Sequence, residues 1–244
     1  MASYSLRGSD SKVAPIVADH TLTSVEADAP SAHVAPPPTL LIPRRVTRYE
    51  RYGKPAMDRV LALVFMVIFA PILLLVAVVV WLSLGRPIMF RQTRVGRDEK
   101  QFRLHKFRTM HEDRRHNDGG FAGRDRRLTH KHPNDPRLTM VGRTLRKWSL
   151  DELPQLWDVI TGKLSLVGPR PELTSIVEAY EPWQHSRHAV KPGLTGLWQV
   201  TARGDGPMHE HTELDIEYSQ HVTLRRDLKI MFLTIPAVLG HTGY

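Results

Sequence analysis

Two adjacent carboxylates, Asp151 and Glu152, follow Arg146 closely in the stretch Arg146-Lys147-Trp148-Ser149-Leu150-Asp151-Glu152-Leu153-Pro154-Gln155. A carboxylate can attack phosphorus and form an acyl-phosphate, which splits one displacement into two easier ones. Two adjacent acids could divide the labour between nucleophile and metal ligand. A structural explanation competes. Ser149-x-x-Glu152 has the pattern of a capping box, and acids in a first turn complement the helix dipole. Pro154 suits the same helix start. Leu150, Leu153, Leu156, Trp157 and Ile160 recur at helical spacing, which predicts one buried face with Asp151 and Glu152 off it. A helix N-terminus at residues 149 to 152 would also favour a bound phosphate, so cap and chemistry are compatible.

Further along runs Gly162-Lys163-Leu164-Ser165-Leu166-Val167-Gly168-Pro169-Arg170-Pro171-Glu172. Flanking prolines would stiffen this loop and fix the direction of Arg170, whose planar fork suits a diphosphate. An ordinary loop between a short strand and a helix has the same composition. A third stretch, Lys191-Pro192-Gly193-Leu194-Thr195-Gly196-Leu197-Trp198-Gln199-Val200, carries turn signals before a short apolar segment. Its residue types specify no chemistry, and Trp198 is expected in the core or at an interface.

The elements around these residues begin with an arm, residues 1–43, that has no periodicity and includes Pro36-Pro37-Pro38, the composition of a disordered segment. A secretory signal is not expected, because the first long apolar run starts near Val60. That run, Val60 to Leu84, is 25 residues without a charge, enough to span a bilayer. Both of its flanks are basic, with Arg44, Arg45, Arg48, Arg51, Lys54 and Arg59 before it and Arg86, Arg91, Arg94, Arg97 and Lys100 after it. A spanning helix concentrates basic residues on one side, and Pro71 interrupts the run. A helix broken at Pro71 that enters and leaves by the same face accounts for both features. A kinked single-pass anchor remains the alternative, since Pro is tolerated in membrane helices.

Beyond Gly85 the chain turns polar. Pro87 to Val95 and Gln101 to Met110 are expected as strands of a hairpin around Gly96-Arg97-Asp98-Glu99. Residues 111–136 form a long polar loop by composition. Helical patterns cover Val141 to Thr161, Glu172 to Tyr180 and Glu210 to His221, and an apolar stretch from Leu228 to Leu239 contains Pro236. That last stretch is too short to span and suits packing or interfacial contact.

A formal charge of +9 points to acidic partners: nucleic acid, an anionic membrane or phosphorylated small molecules. Cysteine is absent, which excludes disulfides, thiolate metal sites and a cysteine nucleophile. Thirteen histidines raise the question of zinc, but His130 and His132 fall in the polar loop, where solvation is the expected state.

Several blocks in register carry a likeness: Lys106-Phe107-Arg108-Thr109-Met110, Asn134-Asp135-Pro136-Arg137-Leu138-Thr139, Ser149 to Gln155, Ser165-Leu166-Val167-Gly168-Pro169-Arg170-Pro171 and Pro192-Gly193-Leu194-Thr195-Gly196. Together, behind a broken apolar hairpin, they resemble the polyprenyl-phosphate glycosyl-1-phosphate transferases, the monotopic phosphoglycosyl transferases of bacteria. The likeness extends from about residue 50 to the C-terminus and is closest to enzymes that prime exopolysaccharide synthesis. It implies that Asp151 attacks the diphosphate of a UDP-sugar, releases UMP and carries the phospho-sugar until the phosphate of undecaprenyl (polyprenyl) phosphate takes it. It implies that Glu152 helps to bind Mg²⁺ or handle protons, with the metal at Asp151 and Glu152. Arg146 and Arg170 then match arginines that hold phosphate or nucleotide, and Lys106 matches a basic residue near the active site and membrane.

The resemblance favours the re-entrant hairpin. The expected fold is helix-rich α+β: an arm over 1–43, a basic flank and re-entrant helix over 44–85, and a cytosolic catalytic domain with a small β-hairpin over 86–244, at the bacterial inner membrane. Two departures leave sugar and loop details open, Lys163-Leu164 before the Ser165 block and Ala202 before Arg203, and the insert at 111–133 is longer than in the smallest members. Two other classes compete. A membrane-tethered nucleic-acid binder would concentrate its arginines on a recognition helix, whereas these are spread along the chain, so no nucleic acid is expected. A catalytically silent scaffold of a polysaccharide assembly complex would keep the hairpin and need no acid pair. The sequence leaves the sugar and the oligomeric state open, a homo-oligomer included.

Overall fold

The computed structural model describes residues 44–111, 137–201 and 211–240. The N-terminal arm, most of the polar insert with His130 and His132, the Asn134-Asp135-Pro136 block, the Ala202-Arg203 departure and Glu210 lie outside the described residues.

A π-helical turn, Tyr49–Gly53, leads into α1 (Lys54–Ile68), and α2 (Ala70–Leu84) follows after one residue, Phe69. The two helices meet at a bend of 63°. Pro71 sits in the first turn of α2, where its ring cannot donate to the carbonyl of residue 67 and crowds it. No single described helix is long and apolar enough to cross a membrane; the bent pair meets that criterion only together. One side of each helix is committed to the protein: Ala62 of α1 joins the main core with Leu104, Leu156, Val159 and Leu166, and Val76 and Val80 of α2 pack with Phe107 and Leu145. Leu63, Val67 and Ile68 of α1 and Leu74, Leu75 and Leu82 of α2 stay exposed. The α2 C-terminus is capped from a distance, since the Arg108 guanidinium donates to the carbonyls of Leu84 and, at 2.9 Å, Gly85.

The expected hairpin is present with shorter arms. Strands β1 (Met89–Val95) and β2 (Gln101–Phe107) pair antiparallel, Met89 opposite Phe107 and Val95 opposite Gln101. A 3-10 turn, Arg97–Glu99, joins them with Asp98 and Glu99 both at positive φ. The chain leaves the strand at Arg108, and Met110 bridges to Leu138 instead.

The helix expected from Val141 to Thr161 is three pieces: α3 (Met140–Lys147), a 3-10 turn at Leu150–Glu152, and α4 (Gln155–Ile160). Ser149 takes a left-handed conformation, φ 55° and ψ 20°, which turns the chain out of α3. Two expectations fall with the continuous helix. Ser149 makes no side-chain cap, so the capping box does not form, and a three-residue 3-10 turn stands where a helix N-terminus was expected. Asp151 and Glu152 are buried, at 7% and 9% exposure, while Trp157, assigned to the buried face, is 53% exposed. Caps occur elsewhere: Thr139 Oγ1 accepts from the Gly142 amide at 2.8 Å, and Thr223 Oγ1 from Arg226 at 3.3 Å.

The remainder is β3 (Ser165–Val167), α5 (Thr174–Val177), a 3-10 helix (Pro182–Ala189), β4 (Gly193–Thr195), α6 (Leu197–Thr201), α7 (Thr212–Gln220) and α8 (Leu224–Leu239). The helix expected over Glu172 to Tyr180 shrinks to α5, and the apolar stretch at 228–239 is the greater part of α8. Strands β3 and β4 pair in parallel, Ser165 with Gly193 and Val167 with Thr195. The described residues thus form a helix-rich α+β architecture with two small two-stranded sheets.

Glycine decides how closely the Gly168 and Gly193-to-Gly196 loops approach. A Cβ at Gly193 would stand 2.1 Å from the Gly168 nitrogen, and one at Gly196 would stand 2.3 Å from the Gly168 carbonyl oxygen. The third motif, without legible chemistry in the sequence, therefore acts as a backbone clamp on the Pro-Arg-Pro loop.

A buried polar network ties the foot of α1 to α8. Asp227, fully buried, accepts from Lys54 Nζ at 2.7 Å, Tyr49 Oη at 2.7 Å and Tyr218 Oη at 2.6 Å. Removing one partner of a buried pair leaves its counter-charge uncompensated and costs about 3–5 kcal/mol. Asp227→Ala should destabilise the protein by about that amount, measured as a lower midpoint in denaturant titration of the protein in detergent micelles.

Candidate active site

Hairpin register determines which cations reach the acid pair. Directly opposed residues of an antiparallel pair share a face, and the partners Phe90 and Lys106, Gln92 and Leu104, and Arg94 and Phe102 are all on one. Arg94, Leu104 and Lys106 accordingly line one cavity, together with Gln155 from α4 and Arg170 and Pro171 from the loop after β3.

Glu152 lies between two of these cations. Lys106 Nζ donates to Glu152 Oε1 at 2.8 Å, and Arg170 Nη2 donates to the same oxygen at 2.7 Å. Arg170 Nη1 reaches Oε2 at a longer 3.4 Å. Three segments distant in sequence thus converge on one carboxylate. Asp151 is next to it, within electrostatic reach of both Lys106 and Arg170. Burial pushes the Lys106 ammonium below its ordinary range, and Glu152 restores part of the loss. Burial also opposes the Arg170 charge, but Glu152 outweighs it and holds the guanidinium above its ordinary range. Arg94 is lowered to about 10 by burial, against the pull of Glu172.

A further layer holds Arg170 from behind. Arg187, buried at 1% exposure, pairs with Asp215, meets Tyr180 Oη, and donates to the Arg170 carbonyl at 2.8 Å. Glu172 lies between Arg187, at 3.7 Å, and Arg94, at 3.9 Å. The Val95 amide donates to the Glu172 carbonyl at 3.0 Å, which ties β1 to the same loop. On the other side, Asp158 of α4 accepts from the His105 amide at 2.9 Å and faces His105 Nδ1 at 2.8 Å, fixing β2 where Lys106 meets Glu152.

Of the residues singled out in the sequence, Lys106, Asp151, Glu152 and Arg170 come together. Arg146 Nε donates to Thr109 Oγ1 at 3.0 Å. Sequence reasoning overlooked Arg94 as a site residue, although counting in twos from the hairpin turn puts it on the Lys106 face. It also overlooked Gln155, Asp158, Glu172 and Arg187, for which no local pattern exists. Trp198 is buried, as expected. A second cleft at the foot of α1, lined in part by Lys54, Arg59, Ser165 and Lys191, contains none of Lys106, Arg146, Asp151, Glu152 or Arg170.

Mg²⁺ takes oxygen ligands, commonly one or two carboxylates with substrate phosphates. The pair fits that requirement in its chemistry: both acids offer hard oxygens, and Glu152 Oε2 meets Arg170 Nη1 at a longer 3.4 Å. Because Lys106 and Arg170 already balance Glu152, a metal here would depend on the negative charge of a phosphorylated ligand.

The site is thus a buried acid pair with Lys106 and Arg170 on Glu152 and Arg94 lining the same cavity as these two cations. Residues 49–241 match the family model described as bacterial sugar transferase, and the chain belongs to that family. It is 39% identical over 199 residues to the exopolysaccharide production protein ExoY of Rhizobium meliloti (strain 1021), covering 78% of this chain and 87% of that protein. It is 41% identical over 194 residues to the UDP-glucose:undecaprenyl-phosphate glucose-1-phosphate transferase of Caulobacter vibrioides, covering 76% of this chain and 69% of the relative. The enzyme of that name from Escherichia coli (strain K12) is 40% identical over 194 residues, which are 76% of this chain and 40% of that longer protein.

The depressed Lys106 has a readable consequence. Its charged form is lost at a lower pH than that of an ordinary lysine, so the alkaline limb of a kcat/KM profile should fall early. Lys106→Arg keeps the charge and should move that limb to higher pH, as followed by transferase assays across pH 7 to 11, roughly the window in which lysine but not arginine titrates.

Proposed function

We propose that this enzyme transfers a hexose-1-phosphate from a UDP-sugar to undecaprenyl phosphate, releases UMP, and so primes exopolysaccharide synthesis. The observation that carries the proposal is the Glu152 clamp: a carboxylate neutralised by Lys106 and Arg170, two cations that line one cavity, with Asp151 next to it in the same turn. The names of the relatives supply the substrate class, a UDP-sugar and undecaprenyl phosphate.

Asp151 is the proposed nucleophile. Its carboxylate oxygen forms a bond to the β-phosphorus of the UDP-sugar; the bond from that phosphorus to the bridging oxygen breaks, and UMP leaves with the electron pair. An oxygen of the lipid phosphate then attacks the same phosphorus, and the Asp151 carboxylate is released. Lys106 and Arg170 hold the lone pairs of Glu152 and spread its charge, which lowers its nucleophilicity. The charge balance is favourable, since Lys106, Arg170 and Arg94 offset the repulsion between an acid and a phosphate. Arg146 is a candidate for nucleotide contact through rotation away from Thr109. Bound at Asp151 and Glu152, Mg²⁺ would neutralise diphosphate oxygens.

The bent helix pair is proposed as a re-entrant hairpin at the cytoplasmic face of the inner membrane, with the acid pair on the side of the soluble donor. Support comes from the 63° bend, the exposed apolar faces of α1 and α2, and the basic residues on both flanks.

Two experiments test these statements. Donor labelled at the β-phosphate should leave label on wild-type protein and then on lipid, whereas Asp151→Asn should lose both by about 1000-fold or more. Glu152→Gln should still take up protein-bound label. Unchanged lipid labelling in Asp151→Asn would reject the nucleophile, and a wild type inactive with every UDP-sugar would favour a scaffold. For topology, single cysteines at Arg45 and Arg91 in this cysteine-free chain should react from the same side of sealed vesicles; reaction from opposite sides would reject re-entry.

A further inference from the structure

A second cluster of chemically competent side chains lies where the hairpin turn meets the 3-10 helix Pro182–Ala189. Three residues per turn make i and i+3 eclipse in a 3-10 helix, so His185 and His188 project from the same side. Glu99, at the end of the hairpin turn, faces both. Its Oε1 is 2.7 Å from His185 Nδ1 and 3.9 Å from His188 Nδ1. One ligand atom from each of the three residues lies within 4.8 Å of the other two. His188 is 93% buried by its 7% exposure, and its Nδ1 has no hydrogen-bond partner among the described residues.

That last feature distinguishes the cluster from a chance grouping of polar groups. A buried imidazole nitrogen is normally hydrogen-bonded, and one without such a bond is open to a water or an ion. The Glu99 backbone is itself unusual, with φ 59° in a residue that is not glycine, so the turn holds the carboxylate toward the histidines at a conformational cost. Tyr180 stacks on His188, with ring centroids 6.1 Å apart, and meets His185 edge-on at 5.7 Å, which restricts both rings. Burial and the neighbouring Arg187 push His188 down to about 3, so its ring is neutral and keeps a lone pair at physiological pH.

We propose that Glu99 Oε1, His185 Nδ1 and His188 Nδ1 form a binding site for one divalent transition-metal ion, Zn²⁺ foremost. Two imidazoles and a carboxylate make a donor set that zinc accepts in proteins, with water in a fourth position. Donor atoms around a tetrahedral ion with bonds of about 2 Å stand about 3.3 Å apart. The observed 2.7 Å and 3.9 Å between Glu99 and the two imidazoles bracket that spacing. Binding replaces the hydrogen bond between His185 and Glu99, and the His185 proton resides on Nε2. Hard Mg²⁺ prefers oxygen ligands and is not the ion for this site.

The ion would fasten the β1–β2 turn to the segment that carries Arg187. Arg187 in turn holds the Arg170 carbonyl and faces Glu172, so the metal steadies the wall of the cationic cavity without touching it. The inference is independent of the reaction proposed above.

The test uses the full chain without an affinity tag, in detergent micelles, stripped by chelator and kept in excess Mg²⁺. Zn²⁺ titrated calorimetrically should bind at one equivalent, and Co²⁺ should give the visible absorption of a site with nitrogen and oxygen donors. His188→Ala and Glu99→Gln should each weaken Zn²⁺ at least tenfold, and the double variant His185→Ala/His188→Ala should lose that equivalent. Equal stoichiometry and affinity in the variants would overturn the site, as would no binding by the wild type. Should the histidine variants fail to fold, Glu99→Gln still decides: Zn²⁺ should raise the melting temperature of the wild type and not of Glu99→Gln, and an equal rise in both rejects the proposal.

Discussion

A carboxylate taken out of water must be neutralised where it stands, and most of the architecture serves that requirement at Glu152. Its two cations come from different directions, Lys106 from the β-hairpin and Arg170 from the loop after β3. Either alone would leave a buried charge partly uncompensated, at a cost of several kcal/mol. The hairpin, the 3-10 turn and the Pro-Arg-Pro loop are therefore held in mutual register by electrostatics as much as by the apolar core. Asp151 inherits its surroundings from this arrangement, being the next residue in the same turn.

Two devices keep the cations in place. Behind Arg170, backbone packs on backbone at Gly168, Gly193 and Gly196, too closely for any side chain, and Arg187 anchors the Arg170 carbonyl while Glu172 links it to Arg94. Behind Lys106, Asp158 holds the His105 amide and ring, so α4 fixes the strand one residue away from the ammonium. Asp227 does similar work at the foot of α1, gathering Lys54, Tyr49 and Tyr218. The bent helices are thereby attached to the catalytic body by a network centred on the fully buried Asp227, which suits a proposed reaction between a soluble donor and a lipid acceptor.

The parts legible in the sequence were those governed by local rules. Pro71 and basic flanks marked the break between α1 and α2, and alternation around Gly96 to Glu99 marked the hairpin. Motif resemblance picked out Lys106, Asp151, Glu152 and Arg170, four residues that the fold gathers. The helix over residues 141–161 misled, because Leu150, Leu153, Leu156 and Ile160 keep helical spacing through a region where Ser149 adopts φ 55°. A hydrophobic period records which residues want burial, and it cannot report a left-handed residue or a 3-10 turn that rotates the face. Hence Trp157 was assigned inward and the acid pair outward, the reverse of what the fold does.

The sequence by itself determined the kinds of chemistry available: a cysteine-free, basic chain with a broken apolar hairpin, an acid pair and a stiff Pro-Arg-Pro loop. Those features depend on composition and near neighbours, which a linear chain states openly. Tertiary structure alone decided that the acids are buried, that Lys106 and Arg170 share one oxygen of Glu152, and that Arg94, Asp158, Glu172 and Arg187 complete the surroundings. Each of those facts is a contact between segments tens of residues apart. Charge pairing over such separations is set by where the backbone brings the side chains, and no local periodicity encodes it.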